Sequence, residues 1–246
     1  MTLELRSCTF GYHPWGPPVL DGLDFTLSPG LTMLLGPGGA GKTTLLRLAA
    51  AVSRPRRGTV TFQGIPSQRR AYRAAVAWVP RRVTAMAGLT AREQVAYTGW
   101  LKGMSRSDAW HGAAPALARV DLADRADTKV RHLSGGQVRR VYLASALVHG
   151  ARLLLLDEPT ADLDSRQRRV FREVLSTLTW EVPVLLATHA VAGLAGVSDQ
   201  VAVLEGGALT FTGSTRDFLA HAPAGTAPGR AAEAAYAELS EPGAHL

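Results

Sequence analysis

Apolar and polar residues alternate in short stretches at the start of the chain, and that period of two predicts strands over residues 3–9 and 19–27. Residues 31–35 and 59–62 read as further short strands, and residues 75–79 as another that ends at Pro80. Beyond Pro80 the pattern changes character. Thr90 with Glu93 three positions on is a helix-opening pair, predicting a helix over 91–103. Ser105 and Asp108 open a second helix, expected to reach Val120. A polar stretch over 121–132 leads to a third, expected over 138–148.

Four leucines, Leu153 to Leu156, then read as a strand that is apolar on both faces. Such strands lie at the centre of a parallel sheet covered by helices. Ser165 is expected to cap a helix running to Thr179, and residues 182–187 form another buried strand. Strand patterns at 200–204 and 208–211, a short helix over 214–220, a Pro/Gly/Ala linker over 222–229 and a helix over 230–240 complete the chain. The organisation expected is a core of residues 1–80 and 150–221, an inserted helical block over 81–149, and a C-terminal linker and helix over 222–246. No internal repeat is present.

Chemistry concentrates where these strands end. Gly36-Pro37-Gly38-Gly39-Ala40-Gly41-Lys42-Thr43-Thr44 fits the pattern of glycine, four residues, then Gly-Lys-Thr, between a strand and an apolar-rich helix. Glycines let consecutive N–H groups turn toward one anion, and the following helix adds its positive end. Lys42 is placed to reach the outer phosphates of a nucleoside triphosphate, and the Thr43 hydroxyl to meet a magnesium ion. Asp157, at the end of the leucine strand, suits the same hard cation. Glu158 follows and would point the other way if the strand continued, as a base or water-orienting carboxylate. His189, past the end of the next buried strand, is a candidate contact for the outer phosphate or the attacking water. Tyr12, in an aromatic turn, is a candidate stacking partner for a purine. Ligands bind at this edge of an open parallel sheet.

Composition narrows the picture modestly. The 246 residues carry a net charge of +7, and the basic residues are nearly all arginine, with lysine only at 42, 102 and 129. These arginines are dispersed apart from short clusters, so solvated helix faces account for most of them and nucleic acid is not the partner expected. Cys8 is the sole cysteine, which excludes an intrachain disulfide and a cysteine-clustered metal site. No apolar run approaches the roughly 18 residues of a membrane helix, and no secretory leader pattern opens the chain, so the cytosol is expected.

Leu133-Ser134-Gly135-Gly136-Gln137 matches a family signature letter for letter, and with the phosphate loop, Asp157-Glu158 and His189 in this order the chain resembles the nucleotide-binding subunit of ATP-binding cassette transporters over essentially its whole length. The resemblance implies an α/β fold: a P-loop NTPase core of the RecA type with a mostly parallel sheet, an N-terminal antiparallel β-subdomain and an inserted α-helical subdomain. It implies ATP and magnesium as ligands, hydrolysis coupled to transport, and a head-to-tail homodimer or a pair with a related subunit. Each ATP then lies between one copy's loop and the other's signature. Tyr12 corresponds to the adenine-stacking aromatic, Glu158 to the catalytic glutamate and His189 to the switch histidine. Residues Ala161, Asp162, Leu163 and Asp164 correspond to the loop that communicates between the sites, Asp164 being its key acid. The partner implied is a separate integral-membrane permease, with this chain peripheral on the cytoplasmic face of the membrane. A groove after Pro80 flanked by Met86, Trp100 and Trp110 is where its helix would dock, although those aromatics could equally be core. The terminal stretch over 231–239 resembles that of exporter-type subunits, multidrug exporters included.

Two residues depart from the family's pattern. Arg81 stands where a metal-contacting glutamine is usual, and a cation beside a metal ion is electrostatically awkward, so Arg81 is expected to avoid the metal and to point away or engage a phosphate. Gly38 replaces an asparagine, which should be tolerable because backbone amides do the binding there. Two other readings remain: a soluble ATPase of the same superfamily acting on nucleic acid, the ribosome or cofactor assembly, and a low-turnover ATP-binding switch, for which Arg81 is the support. A small-molecule kinase would not call for the signature.

Overall fold

The computed structural model describes residues 2–161, 163–191 and 198–240. Among the described residues ten strands form two sheets. In chain order these are β1 (Leu3–Phe10), β2 (Leu20–Leu27), β3 (Leu31–Leu35), β4 (Arg57–Phe62), β5 (Ile65–Pro66), β6 (Val76–Val79), β7 (Leu153–Asp157), β8 (Val184–Ala187), β9 (Gln200–Glu205) and β10 (Ala208–Ser214). The first sheet is antiparallel in the order β2-β1-β4-β5; the second runs β10-β9-β3-β8-β7-β6 and is parallel except at the β9–β10 hairpin.

The leucine-rich strands follow from burial on both sides. Along β7, Leu154 and Leu156 enter one core while Leu153 and Leu155 enter the other. Met33 on β3, Leu186 on β8 and Val203 on β9 share the first core; Leu34, Leu185 and Ala202 share the second. Successive side chains of a strand point to opposite faces, so a sheet covered on both faces needs apolar residues at every position. The antiparallel sheet and helix α1 (Lys42–Ala49) cover one face. Helices α3 (Ala91–Leu101), α4 (Arg106–Ala118) and α5 (Gly135–Leu147), inserted between β6 and β7, pack on one another and contribute to the other core. Helix α6 (Ser165–Leu178), α7 (Thr215–Leu219) and α8 (Ala231–Ser240) bury Phe171, Phe218 and Leu239 in it. This is the α/β fold that the sequence implies.

Local boundaries shift in informative ways. The Thr90–Glu93 capping box opens α3, and Ser105 caps α4, as their spacing requires. Helix α5 begins at Gly135 instead of Val138, because Ser134 accepts from the Gln137 N–H while Gln137 Oε1 accepts from the Ser134 N–H. Asp164, not Ser165, caps α6: its Oδ1 accepts from Gln167 N–H at 2.7 Å. A short helix α2 (Arg70–Ala75) precedes β6 and takes Ala75 from the expected strand. Pro228–Arg230 forms a 3-10 turn across the end of the expected linker and the first residue of the expected last helix, which begins instead at Ala231. Asp162 of the predicted communication loop lies outside the described residues.

Candidate functional site

Strand order brings the chemistry together. β8 lies between β3 and β7, and the register pairs Ala187 with Leu34 on one side and with Asp157 on the other. The phosphate loop after β3, Asp157-Glu158 at the end of β7 and Thr188-His189 after β8 therefore leave the sheet at one edge, where ligands of open parallel sheets bind. Tyr12, Gly38 to Thr44, Arg81, Asp157, Glu158 and His189 line one cavity of about 340 Å³ there.

Parity within β7 aims Asp157 toward α1, since Leu153 and Leu155 share its face and pack in the α1-side core. Thr43 donates its hydroxyl to that carboxylate, at 3.0 Å from Oδ2 and 3.2 Å from Oδ1. This pair fits a magnesium ion: neighbouring ligands of an octahedron with bonds of about 2.0–2.1 Å stand roughly 3 Å apart, and both donors are hard oxygens. Burial pushes the Asp157 carboxyl above its ordinary range; the Thr43 hydrogen bond opposes this, Glu158 adds to it, and Arg81 and Lys42 oppose it. Among the described residues no cluster of three or more His, Cys, Asp and Glu side chains offers a protein-only metal cage.

Lys42 is 8% exposed and donates its ammonium to the carbonyls of Gly36 at 2.6 Å and Pro37 at 3.0 Å. Burial lowers its pKa, Glu158 and Asp157 raise it, and Arg81 lowers it. Gly36 is pressed against β9: a Cβ there would lie 2.2 Å from the Leu204 carbonyl oxygen. At Gly38 a Cβ would meet nothing within 4 Å, in keeping with a position that tolerates side chains. The Tyr12 hydroxyl shares a 2.9 Å hydrogen bond with Thr44 Oγ1, its ring meets Phe10 edge-on at 5.2 Å, and the residue is half exposed at the rim.

Glu158 does not extend the strand. Its φ of 47° puts it in the left-handed region, a conformation costing a non-glycine residue on the order of 1 kcal/mol and concentrated at functional sites. Its carbonyl accepts from Arg139 Nη1 at 2.6 Å and from the Ala161 N–H at 3.2 Å, and its own N–H donates to Ala187 O at 2.8 Å. The turn directs the carboxylate over β8. There Oε1 is 2.7 Å from His189 Nδ1 and Oε2 accepts from the Thr188 hydroxyl at 3.2 Å. A carboxylate at Oε1 requires Nδ1 to carry a proton, which leaves Nε2 for a ligand. Arg139 and Thr188 carry no sequence signal: their roles depend on contacts with Glu158, at its carbonyl and its carboxylate, 19 and 30 positions away.

The signature does not join this cavity. Ser134, Gly136 and Gln137 line a second one of about 320 Å³, with Asp121, Asp164 and Phe171 among its walls. Gly136 is packed on α6, where a Cβ would lie 2.9 Å from the Gln167 side chain. A further apolar groove of about 380 Å³ on the inserted helices is lined by Leu89, Tyr97, Trp100 and Trp110. Trp100 and Trp110 are 45% and 40% exposed, so they are groove walls and not core; Met86 is not part of the lining. No helix among the described residues is long and apolar enough to cross a membrane.

A phosphate-binding loop facing paired strand-end acids on a mainly parallel sheet defines a P-loop nucleotide-binding protein. The family model described as ABC transporter matches residues 20–161, and the chain belongs to that family. It is 36% identical over 211 residues to the Nod factor export ATP-binding protein I of Rhizobium meliloti, covering 84% of this chain and 62% of that one. It is 34% identical over 221 residues to the Fe(3+) ions import ATP-binding protein FbpC of Escherichia coli O157:H7, covering 87% of this chain and 62% of that one. The chain thus spans about six-tenths of the length of these relatives. Its fold resembles a dimeric, post-hydrolysis structure of the ATP-binding cassette MJ0796 bound to ADP and Pi, with a TM-score of 0.76, 24% identity, and coverage of 87% of this chain and 99% of that one.

Proposed function

We propose that this chain binds and hydrolyses ATP as one half of a head-to-tail pair and powers transport through a separate membrane protein. The observation that carries the reading is the single cavity holding Lys42, Thr43, Asp157, Glu158 and His189. In this reading the loop amides and Lys42 hold the phosphates, Lys42 exchanging its carbonyl partners for phosphate oxygens. Thr43 and Asp157 would hold magnesium, which supplies charge neutralisation to the phosphates when bound. Tyr12 places its ring against the adenine. Glu158 orients a water and accepts its proton at a carboxylate oxygen, with His189 and Thr188 fixing the carboxylate. His189 Nε2 faces the outer phosphate.

Pairing is supported by the separation of the two cavities. Ser134 to Gln137 present a capped helix N-terminus, suited to an anion, away from this chain's own loop. Asp164 borders the signature cavity and would act across the interface. The MJ0796 neighbour's dimeric form agrees with such an arrangement. The exposed Trp100–Trp110 groove suits an amphipathic helix of a permease, which would place the chain on the cytoplasmic face of the membrane. The two relatives' names divide between export and import, so the reading is of the motor common to both. Steady-state phosphate release tests it. Wild type should hydrolyse ATP, and Glu158→Gln should slow release by about 10²–10⁴-fold while still binding nucleotide; no release by wild type would sink the motor reading.

A further inference from the structure

Arg81 enters the phosphate cavity from a different segment than the loop does. It follows β6 by two residues, yet it lines the cavity with Lys42, Thr43, Asp157, Glu158 and His189. Its neighbour Arg82 lines only the adjoining cavity toward α5. Arg81 is exposed, and among the described residues it forms no ion pair or hydrogen bond. Its charge nevertheless faces the site, since it shares that cavity's lining with Lys42 and Asp157.

A guanidinium is charged at every accessible pH and offers a planar fork that matches phosphate oxygens. With Arg81, the cavity holds two fixed cations against two carboxylates; without it, the carboxylates outnumber the cations. A polyphosphate entering a site with an excess of carboxylates depends heavily on a bound metal ion for neutralisation, and a second fixed cation relieves that dependence.

We propose that Arg81 is a phosphate-binding residue that grips the outer phosphates alongside Lys42 and takes over part of the charge neutralisation otherwise left to a divalent cation. The inference rests on the nucleotide-site reading above. Its consequence is that the chain holds nucleotide with an unusually shallow dependence on magnesium.

The test is equilibrium binding of a fluorescent ATP analogue to the full chain, in magnesium and again in EDTA, for wild type, Arg81→Gln, Arg81→Lys and Arg82→Gln. Removing magnesium should weaken wild-type and Arg82→Gln binding by less than about tenfold. Arg81→Gln should lose about tenfold more than wild type, or about 1.4 kcal/mol. Arg81→Lys, which keeps the charge but not the fork, should fall between them. The proposal is overturned if Arg81→Gln responds to EDTA as wild type does. It is overturned equally if Arg81→Gln binds magnesium nucleotide more tightly, which would mean that Arg81 pairs with Asp157 and competes with the metal. If no variant binds nucleotide even in magnesium, the nucleotide-site reading itself fails and this inference falls with it.

Discussion

Replacing the loop glycines one at a time by alanine grades backbone clash and backbone strain: Gly36, at φ 154°, meets both, Gly39 strain alone and Gly38 neither. At Gly36 a methyl group would sit 2.2 Å from the Leu204 carbonyl oxygen and 3.2 Å from Ala40 Cβ. Ordinary carbon–oxygen contact needs roughly 1 Å more than the first of these distances, and both β3 and β9 are held in the ladder where Leu35 pairs with Val203. Strands sit about 4.7–4.9 Å apart, so a shift of that size breaks ladder hydrogen bonds instead of stretching them. We therefore expect Gly36→Ala to cost about 3 kcal/mol, at the upper end of what overpacking costs. At Gly39 there is open space but φ is 84°, so alanine pays only for the left-handed backbone, about 1 kcal/mol. At Gly38 neither term applies and the change should stay within about 0.5 kcal/mol. Urea unfolding reads the series directly, the Gly36 variant moving its midpoint by about 1 M if the slope is near 3 kcal/mol/M. A loss below 1 kcal/mol at Gly36, or a larger loss at Gly38 than at Gly36, would refute the reasoning.

Three further outcomes follow from single contacts. Asp164→Ala removes the cap of α6 and should cost about 1 kcal/mol in urea unfolding, whereas Ser165→Ala should cost almost nothing. Burial holds the Asp157 carboxyl above its ordinary pKa, so the native state keeps that proton more tightly than the unfolded chain and the ionised form opposes folding at neutral pH. In magnesium-free buffer Asp157→Asn should therefore raise the thermal midpoint at pH 7, with the gain fading as pH falls through the native pKa and gone below 3.8. Trp100→Glu, in the exposed groove, should leave phosphate release within about twofold and sharply reduce co-purification with a membrane protein; unchanged co-purification would remove the groove from the partner surface.

Much of the fold was legible because burial leaves a period. The unbroken leucines of β7 signalled a strand covered on both faces, and the two cores divide those leucines by parity. The capping pairs at Thr90 and Ser105 were equally plain, being local in sequence. Helix α2 escaped because its six residues run directly into β6 with no turn signal between them. The start of α5 was hidden by Gly135 and Gly136, whose poor helix propensity masks two helical positions behind a strong cap. Adjacent polar residues made Ser165 look like a cap that Asp164 in fact supplies. At the site, Lys42, Thr43, Asp157, Glu158 and His189 could be chosen by position at strand ends. The left-handed turn at Glu158, and the Arg139 and Thr188 contacts that support it, depend on tertiary neighbours and leave no pattern in the chain.

In the proposed pair each nucleotide site is completed by a second copy of the chain. The backbone offers a direct probe, because a Cβ at Gly38 or at Gly135 would stand in open space on the loop and on the signature respectively. A chain carrying Gly38→Cys and Gly135→Cys, in a Glu158→Gln background to slow turnover, is mixed with magnesium ATP, oxidised and run on a non-reducing gel; the native Cys8 is buried and stays out of the reaction. The account predicts an ATP-dependent band at twice the chain's mass that is absent from either single-cysteine parent. A chain that binds ATP yet stays at monomer mass under oxidation would contradict it.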